Sequence, residues 1–315
     1  MTTPIIPEKV LITEEMRYRE RLCLYAQKHG VTKAARRYHT NRQFVYRQLH
    51  KYDGTVESLA LKSRRPHGHK HQHTEEELAL IGRMYRRNGK YGLAETYVRC
   101  REAGYTRSFG SMCRQIRQRG FRAKPAVKHK SYVKHLRDDG RYPGDKVQID
   151  IKYVPMRCIR FPSYGNRYYQ ITAIDEYSRK RVLSIVREKS TYETAKFLRT
   201  LQESFGFPIR RIQVDNGREF SNDDDVTDKI SAFMRVCQEK GYELKRTRPY
   251  SPWQNGKVER SHREDEKIFY QTQVFTSERE LLVKVGKHQR RWNKTAKKVL
   301  SFRSPNQVVA DYFSL

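Results

Sequence analysis

The chain has 315 residues, of which 66 are Lys or Arg and 35 are Asp or Glu, giving a formal net charge of +31. Self-repulsion of this size destabilises a compact state unless a polyanion neutralises it, so nucleic acid is the expected partner and an anionic membrane surface is the alternative. We expect no small-molecule substrate and no membrane role, because no apolar run approaches the roughly 20 residues of a membrane span and the N-terminus lacks a signal-peptide core.

Residues 1–62 are predicted to form a helix-turn-helix DNA-binding domain of three helices, the first of which ends at Gly30. The third, "NRQFVYRQLHKY" (41–52), has apolar residues at helical spacing. Its outward positions carry residue types that bind base edges and phosphates. We therefore expect DNA contacts from Arg42, Gln43, Tyr46 and Arg47. The alternative is an ordinary three-helix bundle with a solvated face.

A basic linker is predicted at 63–73, "SRRPHGHKHQH". Three interpretations are open: a metal site from the alternating histidines at 67, 69, 71 and 73, a solvated tether, or a flexible arm whose Arg64 and Arg65 follow a DNA groove. An unstructured histidine run seldom builds a closed metal site, so the arm or the tether is favoured. The five cysteines are scattered and form no C-x-x-C pair, which disfavours a zinc finger or a disulfide framework.

Residues 74–122 are predicted to form a second helix-turn-helix domain, of the winged-helix kind. Thr74 and Glu77 form a capping-box pattern at the start of its first helix. Two more helices follow, and the last presents Arg114 and Arg117, from which we expect further DNA contacts. A second basic linker is predicted at 123–144.

The pattern changes at residue 145 to strands that alternate with helices. Five strand-like stretches are "KVQIDIKYV", "YYQITAID", "RVLSIVR", "RIQVD" and "YELKRT", and helices are predicted at 191–206 and around 227–240. The fold class is therefore multidomain, with all-α helix-turn-helix modules followed by an α/β catalytic domain (145–275) built on a mixed five-stranded sheet. A helical C-terminal tail is predicted at 276–315.

Three carboxylates in this domain occupy positions where catalytic or metal-binding residues are often found. Asp150 lies in mid-strand, Asp215 ends a strand at an Asn-Gly turn, and Glu259 lies one turn into a helix that follows a Pro-rich loop. Each alone is compatible with an edge strand, a turn or a solvated helix. Together they form a set of hard oxygen ligands for Mg²⁺, with Mn²⁺ as an alternative, and two such ions promote phosphoryl transfer.

The stretches "QIDIKYV", "AIDEYSR", "VDNGREF" and "RTRPYSPWQNGKVERSHRE" resemble the DDE transposases and retroviral-type integrases, and most of all single-chain bacterial insertion-sequence transposases. The resemblance spans about residues 145–265. It implies an RNase H-like fold, two metal ions per active site, and Asp150, Asp215 and Glu259 as catalytic metal ligands. It further implies a homodimer or larger assembly on DNA and a nucleoid-associated location in the bacterial cytoplasm.

The resemblance also implies that four neighbouring residues contact DNA: Asn255, Arg260, His262 and Arg263. Two features depart from the family pattern. Asp215 and Glu259 are further apart in sequence than is usual, which we attribute to an acidic insertion at 221–229. Glu266 stands where the family often has a basic residue, which weakens the expectation of a lysine contact from this helix.

The function expected from sequence is that of a transposase. It would bind the terminal inverted repeats of its element, hydrolyse a phosphodiester bond at each end and join the freed 3′-OH to target DNA by transesterification. The alternatives are a catalytically inactive DNA-binding regulator derived from a transposase, and a nuclease of RNA–DNA hybrids. Two helix-turn-helix domains disfavour the nuclease, since hybrids are recognised by shape rather than through the major groove.

Overall fold

The computed structural model describes residues 11–61, 71–122, 138–162, 167–221, 229–248 and 251–314. The chain divides into two compact units, Met1–Gln72 and His73–Leu315. Arg64, Arg65 and two of the four histidines of the first linker lie outside the described residues. His73 is buried, and its Nε2 lies 2.9 Å from the hydroxyl of Tyr105. The finer domain boundaries given above remain predictions.

The first unit contains the three predicted helices, α1 (Glu14–His29), α2 (Val31–Arg37) and α3 (Arg42–Lys51). Gly30 separates α1 from α2 with φ 84°, a left-handed value that favours glycine. The Asn41 side chain caps α3 by accepting the N–H of Phe44 at 2.7 Å. Val45 is fully buried against α1 and α2, whereas the four residues predicted to contact DNA are all exposed: Arg42, Gln43, Tyr46 and Arg47.

The second unit begins with α4 (Glu75–Asn88), α5 (Leu93–Glu102) and α6 (Phe109–Gln118). The predicted capping box is present, because Thr74 and Glu77 exchange hydrogen bonds of 2.9 and 3.2 Å. Ile81, Met112 and Ile116 form the core of this helical module. Residues 71–122 contain no strand, so the predicted wing is not found there. Arg114 and Arg117 are exposed on α6.

A mixed five-stranded sheet follows, as predicted. Its strands are β1 (Val147–Tyr153), β2 (Tyr169–Asp175), β3 (Arg181–Val186), β4 (Arg211–Val214) and β5 (Glu243–Arg246). They lie in the order β3-β2-β1-β4-β5, with the first three antiparallel and β1, β4 and β5 parallel. This order and the flanking helices give the α/β domain its RNase H-like architecture.

Helices cover both faces of the sheet. The remaining ones are α7 (Thr191–Phe205), α8 (Ala232–Lys240), α9 (Gly256–Ile268), α10 (Glu278–Lys294) and α11 (Pro305–Phe313). α8 begins later than the sequence suggested, because the hydroxyl of Ser231 caps it by accepting the N–H of Met234 at 3.1 Å. Alternate residues of β1 point to opposite faces. Ile149 therefore packs in the core with α7 and α8, while Asp150 faces α9.

Candidate active site

One face of the central strand β1 carries the polar residues that meet α9. Gln148, Asp150 and Lys152 alternate with buried apolar residues and so share this face. Gln148 accepts the N–H of Val258 at 3.1 Å. Lys152 donates to the carbonyl of His262 at 3.3 Å, and Asp150 Oδ2 lies 3.4 Å from Nδ1 of the same histidine. The helix that bears Glu259 is thus held directly over Asp150.

Asp215 follows β4, the strand parallel to β1. Its Oδ1 accepts the N–H of Gly217 at 3.0 Å, which closes a local turn. Two residues earlier, Gln213 donates to the carbonyl of Gln254 at 2.8 Å and to Oδ1 of Asn255 at 3.1 Å. The start of α9 is therefore fixed to β4 as well as to β1, and Glu259 lies one turn further along this helix.

The charges of Asp215 and Glu259 act on Asp150. Burial, together with the negative charges of Asp215, Glu259 and Glu219, raises the pKa of Asp150 from 3.8 to about 7, and the N–H of Ile151 partly opposes this shift. Burial also raises the pKa of Asp215. We call Asp150, Asp215 and Glu259 the carboxylate cluster.

The described residues give the cluster little neutralising charge. Within those ranges none of its three members forms an ion pair with Lys or Arg, although the chain is strongly basic and the charge of Lys189 lowers the pKa of Asp215. Glu219 beside them does, because Lys189 lies 2.8 Å from its Oε1. Mutually repelling carboxylate oxygens without a counter-ion are the donor set that suits a hard divalent cation.

The side chains of the carboxylate cluster do not enclose a metal-binding site in this structure. In the part of the chain that the structure describes, no group of three or more His, Cys, Asp or Glu side chains is close enough to enclose an ion. The residues fit Mg²⁺ or Mn²⁺ by donor chemistry, and binding requires the side chains to approach one another.

His262 belongs to this site and not to an open DNA-binding surface, because its side chain is only 12% exposed. Burial, reinforced by the charge of Lys152, lowers the pKa of His262 to about 4, so its imidazole is neutral at neutral pH. Among the described residues its Nε2 has no hydrogen-bond partner. His262 is therefore placed to orient Asp150.

The other predicted DNA contacts near this site separate into two groups. Asn255 is 4% exposed and bonded to Gln213, so it anchors the start of α9. Arg260 and Arg263 are exposed, and the Nε of Arg260 lies 3.4 Å from Glu264. Glu266 forms an ion pair with Arg157, which accounts for its presence where the family often has a basic residue.

Sequence reasoning missed the two anchoring glutamines. Gln148 and Gln213 each precede a cluster aspartate by two residues and are 1% exposed. A buried amide on the same strand face as a functional carboxylate was the available signal.

We expect Gln213→Ala to slow DNA cleavage by about 10- to 100-fold, because small displacements of positioned groups have effects of this size. Duplex affinity should stay near that of the wild type. Single-turnover cleavage on saturating DNA measures the effect, and Gln238→Ala on α8 is the matched control. Equal rates for Gln213→Ala and the control would contradict an anchoring role.

Comparisons with known proteins bear on the same elements. Two family models, each described as an integrase core domain, match residues 140–252 and 240–296. An integrase candidate, the ORF3 product of Spiroplasma virus SpV1-C74, is 32% identical over 157 residues, which are 45% of this chain and 42% of that protein. These matches support a place for the chain in the DDE transposase and integrase superfamily.

The protein is also similar to a chain of known structure. That chain belongs to a cryo-EM structure of the simian T-cell lymphotropic virus intasome in complex with PP2A regulatory subunit B56 gamma. The identity is 16%, the TM-score is 0.44, and the match covers 73% of this chain and 74% of the other. The chain spans less than half of the length of the Spiroplasma virus relative. The integrase-core matches include β1, β4 and α9, the elements that carry or directly precede the cluster residues.

The raised pKa of Asp150 predicts a pH-dependent stability for this integrase core. The folded pKa of about 7 lies above the unfolded value of 3.8, so this group's stabilising contribution is complete below pH ~4 and is lost as pH rises through ~7. Asp150→Asn cannot ionise. In EDTA its stability advantage over the wild type should grow across this window to at most ~4 kcal/mol.

Thermal unfolding at about pH 5 and about pH 8 measures this difference. Saturating Mg²⁺ should raise the Tm of the wild type and reduce the advantage of the variant. A Tm difference that is the same at both pH values would contradict the raised pKa.

Proposed function

We propose that this protein is a DNA transposase that cleaves the ends of its element and joins the freed 3′-OH to target DNA. One observation carries the proposal: in a region that matches an integrase core, burial and the charges of Asp215 and Glu259 raise the pKa of Asp150. Among the described residues none of these three carboxylates pairs with Lys or Arg, although the chain has a net charge of +31. An acidic pocket in so basic a protein is suited to recruit metal ions, while Lys and Arg hold the phosphate backbone.

Asp150, Asp215 and Glu259 would hold two divalent ions, Mg²⁺ or Mn²⁺. Such ions supply stabilisation of the attacking and leaving oxygens in a phosphoryl displacement. The rest of the site positions these ligands. Gln148 and Gln213 fix the start of α9 on the sheet, and neutral His262 lies beside Asp150 Oδ2. The protein thus contributes geometry and electrostatics, which is what phosphoryl transfer requires.

The helical modules would supply recognition of the element's terminal repeats. In this proposal α3 and α6 contact DNA through their exposed side chains, Arg42, Gln43, Tyr46, Arg47, Arg114 and Arg117. Two ends must be processed together, so a homodimer or larger assembly on DNA is proposed. Arg64 and Arg65, which lie outside the described residues, remain predicted groove contacts, and a nucleoid-associated bacterial location remains a prediction. Within the described ranges, no helix combines the length and the apolar character needed to cross a bilayer.

The experiment is a cleavage and joining assay on labelled duplex that carries the element's own end. We expect nicking at the end and joined products with Mg²⁺, and neither with EDTA. Asp150→Asn should bind the duplex but release no product.

The same assay separates the alternatives. Tight binding without nicking in Mg²⁺ or Mn²⁺ would indicate a DNA-binding regulator that retains an inactive core. Cleavage of an RNA–DNA hybrid in preference to the duplex would indicate a hybrid nuclease.

A further inference from the structure

A large basic cleft is lined by α9 and by Gln148 and Gln213, the two glutamines that precede cluster aspartates. It is walled by α5 and α6 of the second helical module, by the first turns of α9 and by residues 292–299. Its volume is about 1230 Å³. Sites for small molecules typically measure about 300–1,000 Å³, so this cleft has room for more than a small molecule.

The lining of the basic cleft is strongly cationic. Among the described residues, eleven Lys or Arg and four Asp or Glu line it. The acidic side chains are already engaged: Glu176 lies 3.2 Å from Lys146 and 2.6 Å from Lys257, and Asp138 lies 2.9 Å from Lys245. Glu264 is shared with Arg260. Basic side chains therefore outnumber acidic ones around the cavity.

Specific contacts fix the walls of the cleft. Glu95 of α5 is 1% exposed, and it accepts the N–H of Ala296 at 2.7 Å and a guanidinium N–H of Arg291 at 3.2 Å. The ring of Phe302 lies 5.1 Å from that of Tyr97 and 5.0 Å from that of Phe109. These contacts hold the second helical module against the segment that follows α10. The cleft between them is therefore defined by specific side-chain contacts.

Polar groups at the base of the cleft lack partners. In the part of the chain that the structure describes, Arg179 Nη1 and Ser261 Oγ are buried and make no hydrogen bond, and Ser261 as a whole is 1% exposed. The ammonium of Lys297 lies 3.4 Å from the ring centroid of Trp292, and no described carboxylate or carbonyl accepts from it. All three residues line the cavity. Buried donors without acceptors are costly unless a ligand satisfies them.

Positive charges converge on these donors. Burial, together with the charges of Arg181 and Arg260, lowers the pKa of Lys297 to about 8, against an opposing effect of Glu264. Burial also lowers the pKa of Arg179, where Arg260 again contributes. Arg260 therefore acts on both groups, and an anion bound among them would relieve the repulsion.

We propose that the basic cleft is a DNA-backbone site in which Arg179, Ser261 and Lys297, with Arg260 at the rim, receive a phosphate of the bound DNA. The inference rests on the proposed transposase function and adds to it a second point of contact with DNA, outside the carboxylate cluster. Phosphodiester oxygens of a DNA strand in the cleft would supply acceptors for the guanidinium, hydroxyl and ammonium donors. The cavity volume and the excess of basic side chains around it favour a nucleic-acid strand over a single small anion.

One consequence concerns the second helical module. Because α5 and α6 wall the cleft and α9 forms its floor, DNA held there contacts the recognition module and the catalytic core together. The backbone phosphate would then fix the distance along the DNA between the bound repeat and the scissile bond.

The first test is the salt dependence of binding to a fluorescent duplex, in EDTA so that no cleavage occurs. Each phosphate contact that is lost reduces the slope of log K against log salt by about 0.9. We expect reductions of this size for Lys297→Gln and for Arg260→Gln. Lys240→Gln, which removes an exposed charge at the end of α8 on the opposite face of the sheet, should keep the wild-type slope.

The second test uses a native thiol. Cys113 lines the cleft and is partly exposed, whereas the other four cysteines are buried. Maleimide labelling of Cys113, measured by peptide mass spectrometry, should be slowed by duplex DNA. Inorganic phosphate at the same phosphate concentration should leave it unchanged. Lys297→Gln with Arg260→Gln should weaken the protection by duplex.

The outcomes separate the inference from the function on which it rests. Wild-type binding with equal slopes for all variants and no protection of Cys113 would overturn the cleft proposal and leave the transposase proposal standing. Equal protection by inorganic phosphate would identify a small-anion site and overturn the DNA assignment. Absence of any binding to duplex would overturn both proposals.

Discussion

Glu259→Gln is expected to lower DNA cleavage and joining by on the order of 10³-fold or more, with duplex affinity nearly unchanged. The glutamine amide keeps the size of the side chain but removes the charge that a divalent ion requires. Loss of several kcal/mol of transition-state stabilisation corresponds to a rate loss of this size. Single-turnover cleavage on saturating duplex measures it.

The matched control lies on the same helix. Glu266→Gln removes the same charge from α9, but Glu266 pairs with exposed Arg157. We expect cleavage by this variant within a few-fold of the wild type. Equal losses for the two variants would mean that negative charge on α9 acts generally, and that Glu259 is not a metal ligand.

Asp265→Ala is expected to have the largest effect on stability, a loss of about 3–5 kcal/mol in the free energy of unfolding. Asp265 is fully buried and accepts from Arg181 at 2.7 Å, from His288 at 2.8 Å and from Gln170 at 2.9 Å. Burial alone would raise the pKa of Asp265, but the Arg181 charge and these hydrogen bonds hold it well below its usual range. Alanine leaves the Arg181 guanidinium buried and unpaired.

Urea unfolding at neutral pH measures the loss. The stabilisation by Asp265 is present above its unfolded pKa of ~3.9 and is lost as pH falls, so the gap between wild type and variant should narrow in acid. Glu278→Gln, which breaks the exposed pair with Arg187, should change stability by less than ~1 kcal/mol. Adding Arg181→Met to Asp265→Ala should recover part of the loss, because it removes the unpaired charge. A loss below ~1 kcal/mol for Asp265→Ala would contradict a structural role for the network.

The sheet was predictable from local residue patterns along its strands and at their ends. Apolar residues at every second position predicted β1, and the turn residues after Asp215 marked the end of β4. The N-terminal helices were predictable from their caps and their apolar spacing, as Thr74 and Glu77 illustrate. Each of these signals lies within a few neighbouring residues, so it can be recognised in a single sequence.

What could not be predicted depends on contacts between distant segments. The hydrogen bond between Glu95 and Ala296 docks the second helical module on the C-terminal segment, and no pattern near either residue indicates it. His262 was expected to contact DNA, but the burial of its side chain against β1 follows from how α9 crosses the sheet. The packing of α10 on β3, where Gln289 accepts the N–H of Leu183 at 2.7 Å, is likewise a contact between distant segments.

The most direct test of the account is to map the metal by cleavage of the polypeptide. Fe²⁺ replaces Mg²⁺ on the protein–DNA complex, and hydroxyl radicals generated with ascorbate and peroxide cut the chain next to the bound ion. The account predicts fragments that end near Asp150, Asp215 and Glu259, all suppressed by excess Mg²⁺ and all lost in Asp150→Asn. Cuts confined to residues 63–73 or 221–229, with none near the carboxylate cluster, would contradict it.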